Sequence, residues 1–174
     1  MKKRGQIWVE TMIYILIGFA LIGLVLAFAK PKIDELRDKA IIEQSIDMME
    51  DIDITLIEVI KAGPGNKRVI ETVIRKGNLK IDGLNNEIMF EFEGEYIYSE
   101  PGEPISQGNL IIETRQLGER GIVNVTRIYS NYDITYNGGQ TEKIISKAKA
   151  PYKLVISNLG NNLNGDLQID ISLN

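Results

Sequence analysis

The sequence predicts an α+β fold, in which a long kinked N-terminal helix packs against an antiparallel, β-sandwich-like globular domain. Three observations lead to this prediction. Residues 32–62 contain neither glycine nor proline, as expected of a helix. After residue 66, apolar and polar residues alternate in short segments, which is typical of strands with one buried face. Turn dipeptides separate these segments, and no second helical pattern follows them.

Composition narrows the functional classes. The chain has 174 residues, 44% of them apolar and 25% charged, so it can bury a core. It contains no cysteine and no histidine, which excludes thiol catalysis, disulfide frameworks, the usual zinc sites and imidazole bases. The formal net charge of −4 argues against nucleic acid as a partner. We therefore expect no enzyme, no cofactor and no metal site.

The N-terminal region carries the strongest signal. Residues 11–29 contain no charged side chain, and basic Lys2, Lys3 and Arg4 precede them. At ~1.5 Å per residue, such a helix is long enough to cross a bilayer hydrocarbon core of about 30 Å. The basic cluster should stay in the cytoplasm, which places the chain beyond Lys30 outside.

Three processing outcomes compete for this region. It is an uncut transmembrane anchor, or a secretory signal peptide cut after the small-x-small pattern at residues 27–29. The third outcome is cleavage between Gly5 and Gln6, ahead of the apolar run. Only this third outcome uses the basic cluster, Gly5 and Glu10 together.

This arrangement resembles the precursors of archaeal type IV pilins, which carry a class III signal peptide, and the resemblance covers roughly residues 1–62. It implies that residues 1–5 are a leader, that a prepilin peptidase cuts after Gly5, and that Gln6 becomes the mature N-terminus. The family's assembly glutamate corresponds to Glu10. The resemblance also implies a homopolymeric extracellular filament, with an assembly ATPase and a membrane platform protein as partners.

Glu10 needs a physical explanation, because an ionised carboxylate in an apolar helix is costly without a partner. In one interpretation Glu10 lies among lipid headgroups and is solvated. In the other it pairs with the free α-amino group of Gln6 on a neighbouring subunit, a cation that exists only after cleavage. Cyclisation of Gln6 to pyroglutamate would remove that charge and leave only hydrogen bonds.

The helix is predicted to run over residues 6–62 and to end at the Gly63-Pro64-Gly65 sequence. Its membrane or filament-core half is 6–30 and its amphipathic half is 32–62, with a kink at Pro31. A helical projection places Ile33, Leu36 and Ala40 on one face, which we predict contacts other subunits. An opposite set should be covered by the chain's own domain: Ile41, Met48, Met49, Ile52, Leu56, Val59 and Ile60. Alternatively, both faces contact one curved sheet.

Residues 66–174 form the predicted extracellular β-rich domain of nine or ten strands. The predicted strands are 69–75, 79–82, 88–93, 96–99, 110–114, 122–129, 132–136, 143–147, 152–157 and 167–173. Turn signals are Asp82-Gly83, Glu93-Gly94, Asn137-Gly138 and Asn164-Gly165, of which the last two are hairpin dipeptides.

Three further motifs have open interpretations. Asn124-Val125-Thr126 is an acceptor for N-glycosylation outside the cell, or an unused triplet. Residues 158–166 are rich in oxygen donors and form a weak calcium loop or an ordinary turn. Tyr129, Tyr132 and Tyr136 form an exposed adhesive strip or pack into the core.

Two functions remain. The leading one is a structural subunit of a type IV pilus-like filament at the cell surface, used for adhesion or attachment, whose precursor waits in the cytoplasmic membrane. The alternative is a membrane-anchored cell-surface binding module with a single uncut transmembrane helix. Removal of residues 1–5 would delete three basic side chains and make the mature chain more acidic than its formal −4.

Overall fold

The computed structural model describes residues 3–118 and 120–174, and side chains from residue 8 onward within those ranges. The chain divides into two compact units, Met1–Arg37 and Asp38–Asn174. The single helix, α1 (Lys3–Ala62), contributes to both units. Ten strands follow it, so the predicted α+β class is confirmed.

The strands all belong to the second unit. They are β1 (Lys67–Thr72), β2 (Asn78–Asp82), β3 (Glu87–Gly94), β4 (Ile105–Gln107), β5 (Leu110–Leu117), β6 (Arg120–Ile128), β7 (Tyr132–Tyr136), β8 (Glu142–Ser146), β9 (Tyr152–Asn161) and β10 (Leu167–Leu173).

The strands form two open sheets. The four-stranded sheet has the order β1-β9-β10-β7, and the six-stranded sheet has the order β4-β5-β6-β3-β2-β8. Every paired strand is antiparallel to its neighbour except β7 and β10, which run parallel among the described residues. The predicted antiparallel domain is confirmed, with one parallel pair at this edge of the four-stranded sheet. A parallel pair needs a long crossover connection, and the chain supplies one through β8 and β9.

One core joins the helix to both sheets. Around Ile52 of α1 lie side chains of the six-stranded sheet and of the four-stranded sheet: Leu79, Ile81, Ile88, Leu154, Ile156 and Ile171. The predicted covered face of the helix is confirmed, since Met49, Ile52, Leu56 and Val59 are buried and Ile41, Met48 and Ile60 pack against the core. Ile42 and Ile46 are also buried, although the predicted covered face did not include them.

The helix ends where the sequence predicted. Its last residue is Ala62, and Gly63 follows with φ of 87°, a conformation that glycine adopts without strain. The Gly63 N–H donates to the Ile60 carbonyl at 3.1 Å, and the Asn66 side chain donates to the Ala62 carbonyl at 2.7 Å. Pro31 does not interrupt α1, and the predicted kink there stays a prediction.

The two predicted hairpin dipeptides have different outcomes. Asn164-Gly165 connects β9 to β10, which pair as neighbours, so this hairpin is confirmed. Asn137-Gly138 does form a tight turn with φ of 50° and 76°, closed by hydrogen bonds between Tyr136 and Gly139. However, β7 and β8 belong to different sheets, so the predicted hairpin is wrong. A turn dipeptide sets local geometry, whereas strand pairing depends on which sheet buries each apolar face.

Two further local predictions are wrong. Residues 96–99 form no strand, and the Ser99 N–H donates to the side-chain hydroxyl of Thr114 in β5 at 3.1 Å instead of to a backbone carbonyl. Glu93-Gly94 is not a turn, because Gly94 is the buried last residue of β3. A Cβ at Gly94 would overlap the Asp38 carboxylate and the Phe92 ring, so glycine is required there for close approach.

Candidate assembly helix and its supporting contacts

The apolar part of α1 is the most prominent surface feature of the described chain. Its large side chains are exposed throughout, from Trp8 at 67% to Phe28 at 75%. Among the described residues, α1 is the one helix that is long and apolar enough to cross a membrane. That property concerns length and composition alone, and signal sequences share it. Exposed apolar area of this extent needs lipid or other protein surfaces to cover it.

Glu10 is exposed near the start of this apolar segment. The predicted cleavage residues precede it. Lys2 lies outside the described residues, as do the side chains of Lys3, Arg4, Gly5 and Gln6, although the backbone from Lys3 onward belongs to α1. The pairing of Glu10 with a neighbouring Gln6 therefore stays a prediction.

The proposed contact face follows the apolar segment along the helix. Ile33 and Leu36 are 53% and 58% exposed, and Ala40 is exposed as well. The neighbouring charges instead pair within the helix, with Lys32 Nζ at 2.7 Å from the Glu35 carboxylate. These three apolar residues thus have the exposure that a contact with another copy of the chain requires.

A buried carboxylate holds the first turn of the second unit to the loop segments that follow β1 and β3. Asp38 is only 6% exposed. One of its oxygens accepts a hydrogen bond from Lys76 Nζ at 2.7 Å, and the other accepts from the Glu95 N–H at 2.8 Å. The Lys76 ammonium also lies 4.5 Å from the centre of the Phe92 ring. Because a buried charge is tolerated only when it is paired, this contact fixes where the helix joins the domain.

A second buried carboxylate, Asp53, ties the middle of the domain's helical segment to the six-stranded sheet. Its oxygens accept from Arg127 Nε at 2.7 Å and from the Asn109 side chain at 3.0 Å. The Arg127 guanidinium stacks over the ring of Tyr129 at 4.7 Å. Burial, together with the negative charge of Asp53, raises the pKa of Tyr129 above its ordinary range. The phenol is therefore neutral at physiological pH and serves as a packing group.

The sequence analysis missed both carboxylates. Asp53 is four positions after the buried Met49 and three before the buried Leu56, so its helical spacing was the available signal. Their partners lie far along the chain, and no local pattern identifies them.

The remaining motifs are structural. Tyr129 is buried and Tyr132 and Tyr136 are half-buried against the core, so the exposed adhesive strip is not formed. In the oxygen-rich segment 158–166, Asn162 Oδ1 accepts from the backbone N–H groups of Asn164 and Asp166 at 2.9 and 3.0 Å. This is an ordinary turn, and no group of three or more acidic residues that could hold a metal occurs in the described residues.

The glycosylation acceptor Asn124 lies in the middle of β6 and is only 6% exposed. Attachment of a glycan would require this largely buried side chain to become accessible, either before the sheet forms or by local opening. Glycosylation at Asn124 stays a prediction.

Comparisons of the chain with family models, with curated proteins and with solved structures found no match. The interpretation of its N-terminal helix therefore depends on the residues and contacts described above.

Proposed function

We propose that the protein is a structural subunit of an extracellular type IV pilus-like filament, which polymerises through its N-terminal helix. The observation that carries the proposal is the exposed apolar run of α1, joined directly to a helical segment that forms the core of a folded domain. In a filament, residues 7–29 would leave the lipid and contact the same residues of other copies. This exchange has little hydrophobic cost, because both environments are apolar.

Processing would prepare the subunit for assembly. A prepilin peptidase would cut after Gly5 while the precursor lies in the cytoplasmic membrane, and would create an α-amino group on Gln6. That group would pair with Glu10 of a neighbouring copy and offset the cost of burying the carboxylate. The resemblance supplies the other partners, an assembly ATPase and a platform protein in the membrane, which would extract the subunit from the bilayer.

The buried ion pairs of the domain support this mechanism. Extraction from the membrane pulls on the helix, and the domain must stay folded while the helix moves. Asp38 and Asp53 hold the domain's helical segment to the β1–β2 connection and to β6 through charge-assisted hydrogen bonds, which are stronger than neutral ones. Such contacts suit a subunit that transmits force along its helix.

The alternative is a cell-surface binding module whose uncut helix serves only as an anchor. The same exposed apolar helix favours it. An open groove of about 260 Å³ between the domain's helical segment and the end of β1 provides a binding surface, lined among others by Asp47, Asp51, Glu71 and Arg75. The two functions differ in the mature N-terminus and in the size of the native particle.

The deciding experiment measures the N-terminal peptide mass and the particle form of protein isolated from its native cells. The filament proposal expects Gln6, or its pyroglutamate form, at the N-terminus of helical filaments. Retention of Met1 in a detergent-soluble monomer would contradict it and support the anchored module. A soluble product that begins at Lys30 would contradict both and indicate secretion.

A Gly5→Leu variant should remain uncut, while Gly18→Ala, where no atom lies within 4 Å of the added Cβ, should be processed normally.

A further inference from the structure

Three acceptor side chains form a row across the outer face of the six-stranded sheet. Asn124 of β6 pairs in register with Glu91 of β3 on one side and with Glu113 of β5 on the other. The adjacent positions of these strands, such as Phe90, Val123 and Ile112, are buried in the core. Because successive side chains of a strand point to opposite faces, the three residues of the row project away from the core together.

The middle residue of the row is buried and unsatisfied. Asn124 is 6% exposed, and its Oδ1 is buried without a hydrogen-bond partner among the described residues. A buried oxygen in this state is costly, so a native structure rarely leaves it without a partner.

The flanking carboxylates have no partner either. Within the described chain, neither Glu91 nor Glu113 forms an ion pair or a side-chain hydrogen bond. Arg115 lies on the same face two residues beyond Glu113. It forms no ion pair in the described chain either. By contrast, Glu93 on the same face of β3 pairs with Arg120 at 2.9 Å. Glu91 and Glu113 thus differ from Glu93, whose charge already has a partner within the domain.

The chemistry of the row matches a hard divalent cation. Residues directly opposite each other in antiparallel strands have Cα atoms about 4.5 to 5.5 Å apart, which glutamate side chains span. Two carboxylates can thus converge above the shorter asparagine and place their oxygens with its amide oxygen around one ion. Calcium accepts carboxylate and amide oxygens at about 2.3 to 2.6 Å with irregular geometry, whereas magnesium requires a near-ideal octahedron. We infer that Glu91, Asn124 and Glu113 form a low-affinity calcium site that links β3, β6 and β5.

The site is expected to suit millimolar calcium. Its protein ligands come from only three side chains, and water must complete the coordination. Sites of this type in extracellular modules have Kd values on the order of 10⁻⁴ to 10⁻³ M. Bound calcium would satisfy the buried oxygen, neutralise two adjacent carboxylates and stabilise the centre of the sheet.

Isothermal titration of CaCl2 into the full-length chain in detergent micelles, after chelator treatment, tests the site directly and does not depend on filament formation. We expect saturable binding, weakened about tenfold or more in the Glu91→Gln/Glu113→Gln variant. The matched control Glu87→Gln/Glu93→Gln removes the same charge from the same face and should change Kd by less than about twofold. Wild-type protein without saturable binding, or equal weakening in both variants, would overturn the inference.

A second variant tests whether Asn124 binds calcium or has only a structural role. Asn124→Asp adds a third carboxylate, so we expect it to bind calcium about tenfold more tightly. Its melting temperature should fall below that of wild type in chelator and recover on addition of CaCl2, since calcium relieves the repulsion among three carboxylates. If the Asn124 amide instead donates its N–H to Glu91 or Glu113 and binds no calcium, the variant should behave differently. Asn124→Asp would then be destabilised equally with and without calcium, which refutes the site.

Discussion

At the scale of single residues, charge pairing determines which polar groups the domain buries. Asp82 at the end of β2 shows how several weak contacts combine. Its carboxylate accepts hydrogen bonds from the backbone N–H groups of Leu84 and Asn85, at 3.0 and 3.1 Å, and forms an ion pair with Lys80 at 3.0 Å. Lys80 also pairs with Glu142 of β8 at 2.8 Å, so the cluster connects β2 to an edge strand.

The Asp82 cluster predicts an acid-sensitive contribution to stability. Burial acts to raise the pKa of Asp82, but the hydrogen bonds from Lys80 and Asn85 outweigh it, and the pKa lies below its ordinary value of 3.8. A carboxylate with a lowered folded-state pKa stabilises the protein above its unfolded-state pKa, and this contribution is lost as the pH falls through the lowered value. The contribution should therefore be complete at pH 7 and smaller at pH 2.

The Asp82→Asn variant tests this expectation by denaturant unfolding of the detergent-solubilised chain. It keeps an acceptor for the turn and removes the charge, so we expect a loss of about 1 to 2 kcal/mol at pH 7 and a smaller loss at pH 2. The exposed Asp51→Asn variant should show no such difference at either pH. A loss of equal size at both pH values would mean that the carboxylate charge does not contribute.

Glu10 is the residue whose role depends most on assembly. In the filament proposal its carboxylate needs the new α-amino group of a neighbouring copy. We expect Glu10→Ala to be inserted and cleaved normally but to give at least about tenfold fewer filaments by electron microscopy, because the buried charge pair is lost. Glu35→Ala removes an exposed carboxylate from the same helix and should assemble normally. Normal filament yield for Glu10→Ala would refute the pairing.

At the scale of elements, the two parts of α1 differ in exposure. Residues of the domain part are buried, such as Met49 at 1%, whereas Ile33 and Leu36 are more than half exposed. The helical projection predicted most of the buried set because it depends only on the spacing of apolar residues. It did not predict that the domain face includes Ile42 and Ile46, since their burial depends on where the sheets contact the helix.

The two faces predict two separate defects. Met49→Asp places a charge in the core and should cost about 4 kcal/mol or more, enough to unfold the domain. Ile33→Asp should leave the free energy of unfolding within about 0.5 kcal/mol of wild type, because surface substitutions have small effects, and should instead prevent filament formation. The measurements are denaturant unfolding and electron microscopy of the same preparations.

A third variant serves as the control for this pair. Ile54 lies on the domain part of the same helix and is 56% exposed. Ile54→Asp should therefore affect neither folding nor assembly. If Ile33→Asp and Met49→Asp gave the same defect, the division of the helix into two faces would be wrong.

The β elements show where local patterns suffice. Strands β3, β9 and β10 have clear alternation, and each lies where the alternation predicted it. The segment 96–99 also alternates, but its tyrosines pack edge to face at 6.5 Å and its backbone bonds to a side chain. Alternation indicates that one side of a segment is buried, but it does not indicate that a neighbouring strand is available for backbone pairing.

At the scale of the whole molecule, the class of fold could be predicted from the sequence and the topology could not. One helix followed by a series of short strands is visible in glycine and proline placement and in turn dipeptides, although β4 (Ile105–Gln107) was not predicted. The division into two sheets, with β7 beside β10 and β8 beside β2, depends on pairings between residues far apart in the chain. The candidate assembly segment, residues 7–29, could be predicted from the sequence because its apolar residues are contiguous.

The sequence alone therefore determined the long apolar helix, its end at Ala62, the β-rich domain and most of the buried helix face, because each depends on spacing between near neighbours. Only the tertiary structure decided that Asp38 and Asp53 are buried ion-pair partners, that Gly94 provides close approach, and that Glu91, Asn124 and Glu113 lie in one row. Those contacts join strands and helix across long separations in the chain, and their energy comes from desolvated charge and close packing that exist only once the sheets have formed.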